Sequence, residues 1–513
     1  MEIDKKRGRM IWIVFLSYAI LTLIGALTHE MWFDETQAWT IVRDNDLAGI
    51  MEILRSEGHP PLWYMILLPL TRMGLSCEVL PLISWFFSVA SAALFLWRAP
   101  FGVGLKAAYV FSCGSLFFCS VISRVYCLIP FLLALIAIVY PKRRKHPILF
   151  GLLIGLLANT HVCFCGLVGI FGIYLLIELF REWRGAPPRE NLGKLVGLGV
   201  AGVGVLLLVI PLLSSVSLNN SATEIAAGMT VGKGISRLLL SLDDAMYLCV
   251  TGSVYPETQF LHPIASVAAI AVVLFLIVFR RWRRWLTAAL VFFAFYLFIN
   301  SIVWWNNPSR TGVMLSVFIF LLWLAFEEGG ERTATIRLPT GESDLGKGST
   351  QKLGALLEKL GRSPRETCTR LVTAVFIVTI PIGAFYLISD YFGVFAAAKP
   401  TAEYIRENFE PGTVFVTPDD TFSNMAAYLP DYLFYSLNSG RFYTVTDHAE
   451  SDPIPPEKVK SDLAGYKNVY YLSSAGYDPY GLNTDPNAFF TVAVDFLYHR
   501  NHYYYSIADY PRD

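Results

Sequence analysis

The chain has 513 residues, is 54% hydrophobic and only 16% charged, and its 41 basic and 41 acidic side chains cancel. Apolar runs long enough to cross a hydrocarbon core recur along it, which makes the expected fold class an α-helical polytopic membrane protein. No basic field, basic-aromatic motif or zinc-finger spacing is present, so nucleic acid is excluded as a partner.

The start, MEIDKKRGR followed by an apolar run from Met10 to Thr28, lacks a small-residue cleavage site and reads as a retained first helix rather than a signal peptide. Basic clusters at Lys5 to Arg9, Arg98 to Lys106, Lys142 to Lys145, Arg181 to Lys194, Arg280 to Arg284 and within Glu327 to Arg370 mark cytoplasmic loops. With these inside, spans fall at 10–28, 79–97, 105–122, 125–140, 147–160, 163–180, 194–213, 262–280, 285–303, 311–326 and 370–392, about eleven transmembrane helices. The apolar piece 60–70, which starts at the prolines of HPPLWY, must not cross fully, or Arg98 and all that follows would invert. It is expected to be juxtamembrane or partly inserted.

This parity puts the first loop (29–78), the turn SVISRVY (120–126), Asn159 to His161, the loop 214–261, WWNNPSR (304–310) and everything after about 393 on the outer side. Residues 327–369 form a cytoplasmic linker carrying an amphipathic helix at TQKLGALLEKL, and 370–392 the last span. In 393–513, YIRENF reads as a helix and TVFVTP and KNVYYLSS as strands, an extracytoplasmic α/β domain. The eight cysteines lie almost entirely in or beside apolar segments and imply no disulfide framework; Cys163 and Cys165 form a C-x-C read as packing.

The chemistry gathers at the outer interface. HEMWFDETQAW (29–39) sets Asp34 and Glu35 beside Gln37 and Trp39, just past the first span. Helical spacing turns Asp34 and Gln37 or Ala38 to one face and Glu35 to another, so one carboxylate acts and the other supports. The plainer alternative is a helix N-terminal pair in which Asp34 caps Gln37. SEGHPPLWY adds Glu57 and His59, and Arg124 with Tyr126, His161 and Arg310 stand at other helix ends. Each has a structural alternative too: headgroup anchoring for the arginines, capping for His59, a polar hinge for His161. Together they offer a general base for a hydroxyl, and guanidinium and imidazole groups to hold a phosphate.

DE in the first outer loop, EGHPPLWY after it, an R-x-Y at the second outer turn and an arginine before a late span resemble the GT-C class of membrane glycosyltransferases. Within that class the resemblance is to the bacterial branch grouped with the protein O-mannosyltransferase (PMT-like, glycosyltransferase family 39-like) and aminoarabinose transferase families. It covers the organisation of the first 325 residues, with specific motifs only in the first 165 or so. It implies a GT-C fold over 1–326 and a multi-pass protein of the bacterial cytoplasmic membrane with an extracytoplasmic site. It also implies hexosyl or pentosyl transfer from a polyprenyl-phosphate donor to a protein, lipid or glycan acceptor.

In that frame Asp34 is the general base and Glu35 orients the acceptor or assists a cation. His59 lines the donor pocket with Arg124 and Tyr126 near it, Arg310 neutralises the lipid phosphate, and Gln37, Trp39, Glu57 and His161 line the acceptor pocket. Several relatives carry a further aspartate at the second outer loop; this chain has none, which counts against a two-carboxylate mechanism. Direct displacement with inversion is expected. No phosphate-binding G-x-x-x-x-G-K-[ST] occurs, and a lipid phosphate needs none as leaving group. No obligatory metal is expected, although Asp34, Glu35 and His161 offer oxygen and imidazole ligands for a divalent cation. The alternatives are a transporter or flippase for lipid-linked sugars, and a lipid-linked glycan polymerase or ligase. Polar groups concentrated at one interface, with no internal repeat, favour the transferase over the carrier.

Overall fold

Helix length decides which apolar segments reach across a bilayer, because about 20 residues are needed for a hydrocarbon core of about 30 Å. The computed structural model describes residues 2–57, 59–183, 185, 187–218, 230–251, 262–302, 312–328, 363–393, 395–417, 419–445, 454–474, 489–491 and 505–509. Among these, seven helices are long and apolar enough to cross: Lys5–Thr28, Cys77–Arg98, Val125–Lys142, Val162–Glu182, Pro188–Leu207, Arg283–Ser301 and Pro364–Phe392. Pro147–Ala158 and Ser266–Phe279 are apolar but shorter.

In chain order the helices are α1 (Glu2–Thr28), α2 (Phe33–Asp44), α3 (Leu47–Glu57), α4 (Leu62–Arg72), α5 (Leu80–Arg98), α6 (Val103–Val110), α7 (Leu128–Val139), α8 (Pro147–Ala158) and α9 (Cys165–Glu182). They continue with α10 (Pro188–Leu218), α11 (Val231–Thr251), α12 (His262–Phe279), α13 (Arg283–Ile302), α14 (Met314–Glu328) and α15 (Pro364–Phe392). About eleven spans were expected, and two of them depart. The run 105–122 is not one helix: α6 stops at Val110, and a π-helical turn follows at Gly114–Phe118. There a Cβ on Gly114 would lie 2.5 Å from the Gly312 carbonyl, so the π-helical turn sits where two backbones approach closely. The run 311–326 is the 15-residue α14, nearly all of it buried inside the bundle.

The first loop is helical. α4 has 11 residues, about 16 Å of rise, and so spans only half a hydrocarbon core. Its start at Leu62 follows the paired prolines, whose fixed φ suits a first turn. α11 lies in a stretch read as loop; it is amphipathic and packs on α12 and α13. The amphipathic helix expected at TQKLGALLEKL lies outside the described residues.

α8 and α10 touch through small residues, as close membrane helix pairs do. A Cβ on Gly151 would meet the Gly197 carbonyl oxygen, one on Gly204 would meet the Gly155 backbone, and Asn159 Nδ2 donates to the Gly204 carbonyl at 2.6 Å.

One end of the bundle is tied by a partly exposed polar knot. Arg143 pairs with Glu178 at 2.5 Å, Arg284 reaches Glu178 at 3.2 Å and Glu328 at 3.0 Å, and the Tyr140 hydroxyl donates to Glu328 at 2.7 Å. Lys194 joins Glu182 and Glu190 nearby. α7 (Leu128–Val139) ends at this knot and begins near Ser123, at the end where α1 and α15 finish.

After α15 come α16 (Ala398–Asn408) and an α/β unit: β1 (Val414–Thr417), α17 (Asp419–Tyr428), β2 (Leu433–Ser436), β3 (Arg441–Phe442), α18 (Pro456–Leu463), β4 (Val469–Ser474), β5 (Phe489–Thr491) and β6 (Tyr505–Asp509). The sheet order is β3-β2-β1-β4-β6-β5. β1 pairs in parallel with β2 and β4, and all four of its residues are buried, as expected of a parallel strand covered on both faces. Gly440 supplies the positive φ of 62° in the tight turn between β2 and β3. α17 packs on α2, which seats this unit against the first loop.

Candidate active site

The segment 29–32 joins α1 to α2 and decides how the two adjacent carboxylates are used. The helix cap is Trp32, so Asp34 does not cap the helix; Glu35 occupies the third helical position and reaches back, its Oε2 accepting the Trp32 N–H at 3.0 Å. The same oxygen faces His29 Nε2 at 3.1 Å, and Glu35 Oε1 accepts the Ser123 N–H. The Glu35 side chain has no exposed surface. This corrects the expected role of Glu35 beside an acceptor or cation: both oxygens are committed to the scaffold, because a buried carboxylate must be satisfied where it sits.

Asp34, one residue earlier, points elsewhere and keeps 36% of its side chain exposed. Its Oδ2 lies 3.3 Å from Arg124 Nη1, which also donates to the Asp34 backbone carbonyl at 2.5 Å. Arg124 Nη2 donates to His59 Nε2 at 3.2 Å. Arginine has no acceptor, so this contact requires His59 Nε2 to accept, with the proton of the neutral ring on Nδ1. Arg124 thus joins the first loop, the α3–α4 connection and the turn before α7. Burial alone would lower its pKa, but Asp34, with smaller contributions from Tyr126, Tyr64 and Glu35, raises it, so the guanidinium stays charged.

Backbone shape explains why Arg124 and His161 stand where they do. Each caps a 3₁₀ turn in extended conformation, Val125–Cys127 and Val162–Phe164, at the start of a long apolar helix. His161 Nδ1 accepts the Cys163 N–H at 3.2 Å, capping that turn. The Tyr126 and His161 rings lie 6.1 Å apart and line a small, mostly apolar cavity with Ile129, Phe164, Phe292 and Met314. Cys163 and Cys165 are thiols rather than a disulfide, and Asn300 Nδ2 donates to Cys163 Sγ at 3.8 Å.

Trp39, expected in a pocket, is instead a core side chain at 1% exposure, and Gln37 is buried at 4%. Glu57 closes α3, but its side chain lies outside the described residues, as does Arg310 entirely. Among the described residues no three His, Cys, Asp or Glu side chains group as a metal site, so Asp34, Glu35 and His161 do not converge as the divalent-ion set envisaged for them.

Three residues that matter here were not singled out from sequence. Asp390, in the last turn of α15, faces His29 Nδ1 at 2.9 Å; a lone acid near the end of an apolar span was its available signal. His29 stood in the quoted motif without a role. Asn424 of α17 accepts from Thr36 Oγ1 at 2.6 Å, and nothing local marks it.

No family model and no curated protein matches this chain.

Proposed function

We propose that this chain is a membrane glycosyltransferase of GT-C type that moves a sugar from a polyprenyl-phosphate donor to an acceptor at the outer face of a bacterial cytoplasmic membrane. The observation that carries the proposal is the Asp34–Arg124–His59 cluster: an accessible carboxylate beside a permanently charged guanidinium, brought together from three separate segments.

Asp34 takes the proton of the acceptor hydroxyl or amine as that atom attacks the anomeric carbon. The bond from that carbon to the phosphate oxygen breaks, and the leaving phosphate carries away the electron pair and the new negative charge. Arg124 meets this charge with charge-assisted hydrogen bonds, while His59 holds the guanidinium in orientation. A base on the face opposite the leaving group gives inversion. The knot of Arg143, Arg284 and Lys194 at the far end of the bundle supports an outward site, since basic ends stay inside.

The test is transfer in liposomes, with a panel of radiolabelled polyprenyl-phosphate sugars and cell-envelope acceptors, wild type against Asp34→Asn. Release of polyprenyl phosphate and labelled acceptor by the wild type, cut by at least about 10²-fold in the variant, is expected. Movement of intact donor across the bilayer without cleavage would overturn the reading in favour of a flippase.

A further inference from the structure

His29 is neither the proposed base nor part of the phosphate clamp, yet its side chain has no exposed surface and both ring nitrogens face carboxylates. Nε2 lies 3.1 Å from Glu35 Oε2, and Nδ1 lies 2.9 Å from Asp390 Oδ1. A neutral imidazole has one N–H and can donate to only one of them; an imidazolium has two and donates to both. The bridge fastens the end of α1 to the first turn of α2 and to the last turn of α15, 361 residues away in sequence. Glu35 extends it by accepting the N–H of Ser123, the residue before Arg124. Phe395, just past α15, closes the remaining side: its ring lies 4.8 Å from the imidazole, and its N–H donates to Glu30 Oε2 at 3.0 Å.

We propose that His29 is a positioning residue: a buried imidazolium between Asp390 and Glu35 that fixes the 123–124 backbone and so holds Arg124 against Asp34. Its effect on turnover rests on the transferase reading; the bridge itself does not.

The surroundings agree with a cation. Burial by itself lowers the pKa of His29, but Asp390 and then Glu35 outweigh it and hold the ring well above its ordinary value of 6.5. The other ionisable groups around it are Glu30, raised by its own burial; Lys399, beside Glu30; Tyr428, raised by burial; and Arg124, beyond Glu35.

Hydrogen exchange of the full chain in nanodiscs reads the bridge directly, as the protection factor at Ser123 from about pH 6 to about pH 9. Wild type, His29→Gln and Asp390→Asn are compared. Asp390→Asn keeps an oxygen to accept from Nδ1 but removes the charge, so it tests the bridge even where His29→Gln fails to fold. Wild-type protection should persist until the imidazolium deprotonates. In Asp390→Asn its loss should move at least about one unit lower in pH, and in His29→Gln protection should fall at least about tenfold throughout. Equal protection in all three proteins overturns the bridge.

With the sugar donor, the alkaline limb of kcat in Asp390→Asn should move by the same interval with KM unchanged. A limb that stays in place while protection moves overturns the positioning role. Absence of transfer in wild type, with protection behaving as described, sinks the transferase reading and leaves the bridge standing.

Discussion

At Arg124 one guanidinium serves a carboxylate, a backbone carbonyl and an imidazole, and lysine cannot replace it because a point charge lacks the planar fork. Arg124→Lys should lower kcat for sugar transfer by about 10²-fold while the protein folds normally, measured as initial rates in liposomes. Glu35 and Asp34 show how adjacent identical chemistry diverges: one is sealed, the other accessible. Their separation onto two helix faces was legible from spacing alone. That Glu35 would be saturated by Ser123, Trp32 and His29 was not, since Ser123 is 88 residues distant. The His29 bridge also predicts a pH dependence of stability. Its folded pKa is raised, so its contribution is fully present below about pH 6.5 and is lost as pH rises through the folded value. Thermal unfolding in detergent should therefore show a midpoint that declines on the alkaline side, and His29→Gln should flatten that decline.

At the scale of elements, hydropathy read most of the apolar helices and misread where they stop. α6 ends at Val110 and a π-helical turn follows where Gly114 and Gly312 bring two backbones together, a tertiary contact that hydropathy does not show. The same closeness governs the α8–α10 pair. Gly204→Val should prevent the two helices from meeting, seen as loss of a monodisperse folded species on gel filtration, because the added side chain collides with backbone rather than with a movable side chain. Asn159→Ala should cost only about 0.6 kcal/mol, the usual worth of an interhelical hydrogen bond in a membrane, measured by reversible unfolding in detergent. The strands β1 and β4 stood out as short β-branched and aromatic runs, and α16 as a short helix.

Across the whole molecule, the α/β unit buttresses the helix that carries Asp34. Thr36 donates to Asn424, Arg43 Nη1 donates to the Ala426 carbonyl at 2.8 Å, and Phe395 donates to Glu30, all on or beside α2. Asn424→Ala should therefore reduce transfer several-fold and speed proteolysis within 29–44, although the substitution lies in a different unit from the base; unchanged turnover and proteolysis would show that α2 holds its place unaided. The sequence alone determined that this is a helical membrane protein with its unusual polar residues at span ends, because hydropathy, charge and helix-breaking residues act over a few neighbouring positions. Only the tertiary structure decided which carboxylate is open, that Arg124 meets both Asp34 and His59, and that Asp390 reaches His29. Those pairings join distant segments, and nothing in a local stretch encodes the partner that packing will bring to it.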